Sequence, residues 1–120
     1  MNTHNKNVGN KGESIAEKYL IDKGYSIIEK NFHFGKEGEI DIIATDKNNV
    51  LVFIEVKTRT NHNFGHPLLS ITEKKKRSIR FAANGYMLKH NITNQECRID
   101  FIAIDMITNL PDITHLENVI

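Results

Sequence analysis

The sequence predicts an α/β protein, a mixed central sheet flanked by helices in the order α-β-β-β-α-β with a short further strand at the end. Three observations carry this. Two segments, 10–23 and 71–90, repeat their apolar residues with a helical period. Between them lie three runs rich in aromatic and β-branched residues, divided by short turn signals. The third run, from Val50, is apolar on both faces in its first half, as in a strand covered on both sides.

Each element has its own signal. The first nine residues are polar and read as a flexible tail. Over 10–23, Ile15, Ala16, Tyr19 and Leu20 fall on one helical face, and Gly24 supplies the stop. Strands follow at 25–34 and 39–45, separated by a turn at 35–38. Asp46-Lys47-Asn48-Asn49 is a hairpin-type turn into the third strand, 50–59. Gly65 and Pro67 make 60–69 a loop. The long helix 71–90 leads to a fourth strand, 97–107, and Leu110-Pro111-Asp112 breaks the chain before the optional last strand.

The chain has 120 residues, 39% apolar and 26% charged, which suits one domain and excludes general disorder. The longest apolar run, Val50 to Ile54, is too short to span a membrane. The polar start lacks a secretory core, and Cys97 is the only cysteine, so a cytoplasmic, reducing setting is expected. Net charge is +1, but it is uneven: residues 55–90 carry eight basic and two acidic side chains, and the rest of the chain is correspondingly acidic. A basic segment on a near-neutral protein fits a localised anionic partner such as nucleic acid, or the solvated outer face of a helix.

Three polar residues stand where polarity is costly. Strand side chains alternate, so Leu51, Phe53, Glu55 and Lys57 share one face and Val50, Val52, Ile54 and Val56 the other. Glu55 and Lys57 therefore interrupt an apolar strand, as Asp41 does between Ile40 and Ile42. A tight turn joins the two strands, so Asp41 and Glu55 can approach across the ladder. Close carboxylates repel, and burial raises their pKa values. A divalent cation between them removes the conflict, and an all-oxygen donor set suits Mg²⁺ or Mn²⁺. Lys57 then stands where it can steady a nucleophilic water or a developing phosphate charge. The competing interpretation is a buried acid–lysine salt bridge.

Two further residues belong with these. On the long helix, Lys75 lies amid the apolar stripe of Ile71, Ile79, Ala82, Ala83 and Tyr86, all within about 80° of it. It needs a partner, and the acidic pair is the obvious one; it could equally reach a phosphate, or snorkel to solvent. Glu13 borders the apolar face of the first helix and either reaches the acidic site or closes a capping box with Asn10. Lys74, Lys76, Arg77 and Arg80 fan out on other faces of the long helix. His62 and His66 read as polar loop residues, and Arg98 and Asp100 share a strand face and can pair. Phe81 and Leu88, off the apolar stripe, suit either an interface or the sheet's edge.

Asp41 followed by Glu55-Val56-Lys57 resembles the PD-(D/E)xK nuclease signature shared by restriction endonucleases and archaeal Holliday junction resolvases. The chain more closely resembles the YraN-like uncharacterised bacterial family, predicted endonucleases related to those resolvases. The matching residues are Gly9, Gly12-Glu13 and Ala16; Gly38-Glu39-Ile40-Asp41-Ile42-Ile43-Ala44; and Phe53-Ile54-Glu55-Val56-Lys57-Thr58-Arg59. Phe64-Gly65, Lys75, Ala82-Ala83 and Arg98-Ile99-Asp100 continue the match along nearly the whole chain. Ile40 stands where the nuclease signature has proline.

The resemblance implies a restriction-endonuclease-like αβββαβ core. It also implies Asp41, Glu55 and the Val56 carbonyl as ligands of Mg²⁺ or Mn²⁺, Lys57 as the catalytic lysine and Glu13 as the resolvases' helical glutamate. The expected activity is metal-dependent hydrolysis of DNA phosphodiesters, in branched or damaged DNA, with Lys75, Arg59, Lys74 and Arg77 contacting the nucleic acid. A resolvase-like enzyme acts on two strands related by a two-fold axis, which favours a homodimer. The alternatives are a non-catalytic nucleic-acid-binding or assembly protein that keeps the fold, and a protein-interaction module whose Asp41, Glu55 and Lys57 form a structural ion pair.

Overall fold

The structure, a computed structural model, describes residues 3–60 and 65–120, with side chains in the first helix from Val8 onward. Its elements are α1 (Thr3–Asp22), β1 (Ser26–Phe34), β2 (Gly38–Thr45), β3 (Leu51–Arg59), a 3₁₀ turn (Pro67–Ser70), α2 (Glu73–Lys89), β4 (Cys97–Asp105) and β5 (Asp112–Leu116). The predicted order holds, and the optional last strand is present.

Local chemistry accounts for most boundaries. Gly24 adopts φ 94°, and the amides of Gly24 and Tyr25 bond back to the Ile21 and Leu20 carbonyls, closing α1 as predicted. Asp46 Oδ1 accepts from the amides of Asn48 and Val50, which folds the β2–β3 turn. Thr72 caps α2, its Oγ1 accepting from the Lys75 amide. The start of α1 differs from the reading. The helix begins at Thr3, inside the stretch read as a tail, so Asn10 and Glu13 are interior positions and the capping box does not form. Ser14 Oγ bonds the Asn10 carbonyl one turn back, as an interior serine does.

Among the described residues, five strands form one sheet in chain order. β1–β2, β2–β3 and β4–β5 are antiparallel, whereas β3–β4 is parallel because α2 carries the chain back across the sheet. β3 is the central strand, as its two apolar faces require. Val50, Val52, Ile54 and Val56 pack with Ala16 and Leu20 of α1. Leu51 and Phe53 pack with Ile79, Ala82, Ala83 and Tyr86 of α2. Helices therefore cover both faces, giving the αβββαβ arrangement of a restriction-endonuclease-like core. Among the described residues no helix is long and apolar enough to cross a membrane.

α1 lies very close to β3. A Cβ on Gly12 would collide with the Thr58 side chain, so only glycine permits this approach. The contact sets the next residue, Glu13, against the sheet. Phe81 meets Phe34 of the edge strand β1 edge-to-face, with ring centroids 5.4 Å apart, and so covers the sheet's edge. Leu88 is exposed.

A polar hub ties the far end of the sheet together. Arg98 bonds Asp100 through Nε at 3.0 Å, Asp46 through Nη1 at 2.8 Å, and the Tyr25 hydroxyl through Nη2 at 2.7 Å. Fully buried Asp100 also accepts from the Asn118 amide and lies 2.7 Å from His115 Nε2. Burial alone would raise the Asp100 pKa, but hydrogen bonds from His115, the Asn118 amide and Arg98 hold it below the usual range. Asp100→Ala is expected to lower stability by about 3 kcal/mol, because it removes one carboxylate from a largely buried guanidinium and leaves the Asn118 amide and His115 without their acceptor. Urea unfolding measures this, and a loss below about 1 kcal/mol would contradict the hub's role.

Candidate metal and nucleic-acid site

The site forms where β2 and β3 separate. Their ladder ends at the pair Ile42–Ile54, one position before Asp41 and Glu55 would face each other. There β2 turns: Ile42 packs towards α1, but Ile40 packs on the α2 side with Phe32. Asp41 uses the opening to accept the Val56 amide at Oδ2, 2.8 Å away. A strand residue's N–H and C=O leave the same edge, so the Val56 carbonyl borders the same opening.

Glu55 projects from β3 towards α2, where its Oε1 lies 3.1 Å from Lys75 Nζ. Its other oxygen, Oε2, is buried and, with both acids charged, has no donor among the described residues; the group it meets is the Asp41 carboxylate. Burial, and then the charge of Asp41, push the Glu55 pKa up to about 8, although Lys75 opposes the shift. Asp41 is also raised by burial, against the lowering effect of the Val56 amide. The two carboxyl groups thus interact directly and lose or gain their protons as a pair.

Other residues surround the pair. Glu13 approaches from the α1 side; burial, then Asp41 and then Glu39 raise its pKa. Lys57 is exposed and shares with Glu55 and Lys75 a cavity of about 220 Å³, floored by Phe101 and rimmed by Ser70 and Thr72. Lys74 and Arg77 are exposed on the first turns of α2. Among the described residues, no three His, Cys, Asp or Glu side chains are gathered into a metal cluster.

The structure thus brings together Asp41, Glu55, Val56, Lys57, Lys75 and the margin of Glu13. Arg59, expected to contact nucleic acid, is a correction. It is buried and its Nε and Nη2 bond Asp105 at 2.6 and 2.8 Å, while Nη1 donates to the Gly65 carbonyl. The guanidinium is committed to joining β3, β4 and the following loop. His66 accepts from the Leu68 amide, which bears out a loop role; His62 lies outside the described residues, as does Phe64 of the family pattern. Sequence reasoning missed Ser70 and Thr72 on the rim. A threonine directly before a helical run is a capping signal and would have pointed to Thr72.

A mixed αβββαβ sheet with an acid pair and two lysines at a strand fork defines the architectural class, the restriction-endonuclease-like proteins. That class spans many activities. Within it, the chain belongs to the uncharacterised protein family UPF0102, whose model matches residues 12–104, a span holding every candidate from Glu13 to Arg77. It is 42% identical over 118 residues to a UPF0102 protein of Geobacter metallireducens, which covers 98% of this chain and 95% of the relative. Identity to a UPF0102 protein of Clostridioides difficile is 40% over 115 residues, 96% and 97% of the two chains. For one of Chlorobaculum parvum it is 47% over 97 residues, 81% and 74%.

Proposed function

We propose that the chain is a metal-dependent DNA endonuclease that hydrolyses phosphodiester bonds, acting on branched or damaged DNA. The observation that carries this reading is the buried Oε2 of Glu55, which has no donor among the described residues and meets the Asp41 carboxylate. A buried oxygen of this kind needs a cation or a proton, and all-oxygen donors suit Mg²⁺ or Mn²⁺. Two carboxylates suffice for Mg²⁺, which keeps several waters and shares substrate phosphate oxygens. Asp41, Glu55 and the Val56 carbonyl would hold the ion, which when bound lowers the pKa of water and neutralises phosphate charge.

The remaining roles belong to the chain's own residues. Lys57 reaches the cavity from the exposed end of β3 and donates to the attacking water or to a phosphate oxygen. Glu13 sits at the margin, where it can orient water. Lys74 and Arg77 meet the DNA backbone, supplying salt-sensitive affinity rather than sequence preference. A junction with two-fold symmetry would engage two copies of the chain.

The test is cleavage of a four-way junction, a supercoiled plasmid and a linear duplex in Mg²⁺ and Mn²⁺, with Asp41→Ala purified alongside. Metal-dependent cutting by the unmodified chain alone is expected. Equal cutting by Asp41→Ala would overturn the site assignment. A second reading, a non-catalytic nucleic-acid-binding or assembly protein, has one observation in its favour: Lys75 already neutralises Glu55 without any ion. It predicts DNA binding that falls with salt and ignores Mg²⁺.

A further inference from the structure

The fate of each carboxylate oxygen bears on how many ions the site can hold. Two-metal phosphodiesterase centres keep their ions about 3.5–4 Å apart. A carboxylate that gives one oxygen to each ion is the usual bridge at that separation. Each acid here already has one oxygen engaged, which makes it a poorer bridge. Asp41 commits Oδ2 to the Val56 amide, and Glu55 commits Oε1 to the Lys75 ammonium. Asp41 Oδ1 and Glu55 Oε2, which has no donor among the described residues, face only each other's carboxylate.

We propose that Lys75 sets the metal count at one, its ammonium holding the Glu55 oxygen that a second cation would need and supplying the positive charge that cation would bring. This rests on the metal-binding reading above and goes beyond it by naming the residue that closes the second site.

Lys75 is suited to the task by position. Its amide is tied to the Thr72 cap, which fixes the first turn of α2, and buried Ile71 anchors the chain just before it. Its side chain is 37% exposed, whereas the Glu55 side chain it holds is 7% exposed. Lys57 lines the same cavity yet is exposed, which leaves it free for substrate. Two lysines on one cavity thus divide their tasks, and Lys75 acts as a positioning residue through Glu55.

Calorimetric titration of Mn²⁺ into the metal-free full chain tests this, together with electron paramagnetic resonance of the loaded protein. The unmodified chain should bind one ion and give a mononuclear spectrum. Lys75→Met should bind two and show spin coupling between neighbouring ions, a signature that loosened packing alone would not create. Lys75→Arg should return the count to one. Lys75→Gln serves as a second neutral variant if circular dichroism shows that Lys75→Met is unfolded. Two ions in the unmodified chain would overturn the proposal. So would a single mononuclear ion in a folded neutral variant, although that result leaves the metal reading standing. No binding by the unmodified chain would overturn both.

Discussion

Asp41→Asn is expected to be more stable than the unmodified chain in EDTA and inert in metal-dependent cleavage. The asparagine carbonyl can still accept the Val56 amide, the bond that Asp41 Oδ2 makes now. Its amide group can donate towards Glu55, whose Oε2 has no donor among the described residues. One member of a repelling pair is thereby replaced by a neutral donor. The gain should be about 1–2 kcal/mol, or roughly 5 °C in Tm. Loss of an anionic ligand removes several kcal/mol of transition-state stabilisation, so cleavage should fall on the order of 10³-fold or more. Thermal melts and single-turnover cleavage measure the two effects on one preparation. A variant that is less stable in EDTA, or that cuts at the original rate, would contradict this account of the site. Stability given up for function is characteristic of such clusters.

The metal-free chain is also expected to lose stability between pH 5 and pH 8. Glu55 rises from an ordinary value of 4.5 to about 8 on folding, chiefly through burial and then through Asp41. In that window the folded chain holds a proton that the unfolded chain has released, so stability falls as pH rises. Asp41 and Glu13 are raised as well and act in the same sense. Asp100 and Asp46 act oppositely. Both are held below their ordinary value despite burial, so their contribution is present at neutral pH and is lost as pH falls below about 4. Maximum stability without metal should therefore lie near pH 5. The decline to pH 8 should be about 3–4 kcal/mol, read by urea unfolding in EDTA. Glu55→Gln should flatten it. Mg²⁺ at a hundred times its Kd should restore about 2.7 kcal/mol at pH 8. A flat profile in the unmodified chain would show that the acid pair is not buried in its charged form.

Much of the site was legible in the sequence because its signals are local. Alternation along β3 placed Glu55 on the face of Leu51 and Phe53, and helical spacing placed Lys75 amid the stripe that packs there. Their meeting at 3.1 Å follows from those two periodicities once α2 covers that face. The same logic failed for Arg59. Its position after Lys57 in a basic segment suggested a phosphate contact, but its partner, Asp105, lies 46 residues away on a strand that becomes its neighbour only through the parallel β3–β4 pairing. Glu13 is a case where the sequence left two readings open. The Asn10–Glu13 spacing fits a cap, and only the earlier start of α1 and its close approach at Gly12 turn Glu13 towards the acids.

The sequence by itself determined the order of elements, the central place of β3, the face carrying Glu55 and Lys57, and the oddity of Lys75. Each is a matter of periodicity over a few residues, and side-chain direction follows period within a strand or helix. The tertiary structure decided where the β2–β3 ladder ends, and so that Asp41 bonds the Val56 amide instead of facing Glu55 across it. It decided that Arg98 joins Asp46, 52 residues away, and Tyr25, 73 residues away. It also decided that one oxygen of Glu55 is buried with no donor among the described residues. These outcomes depend on which distant groups share a small volume after packing, and local pattern holds no information about that.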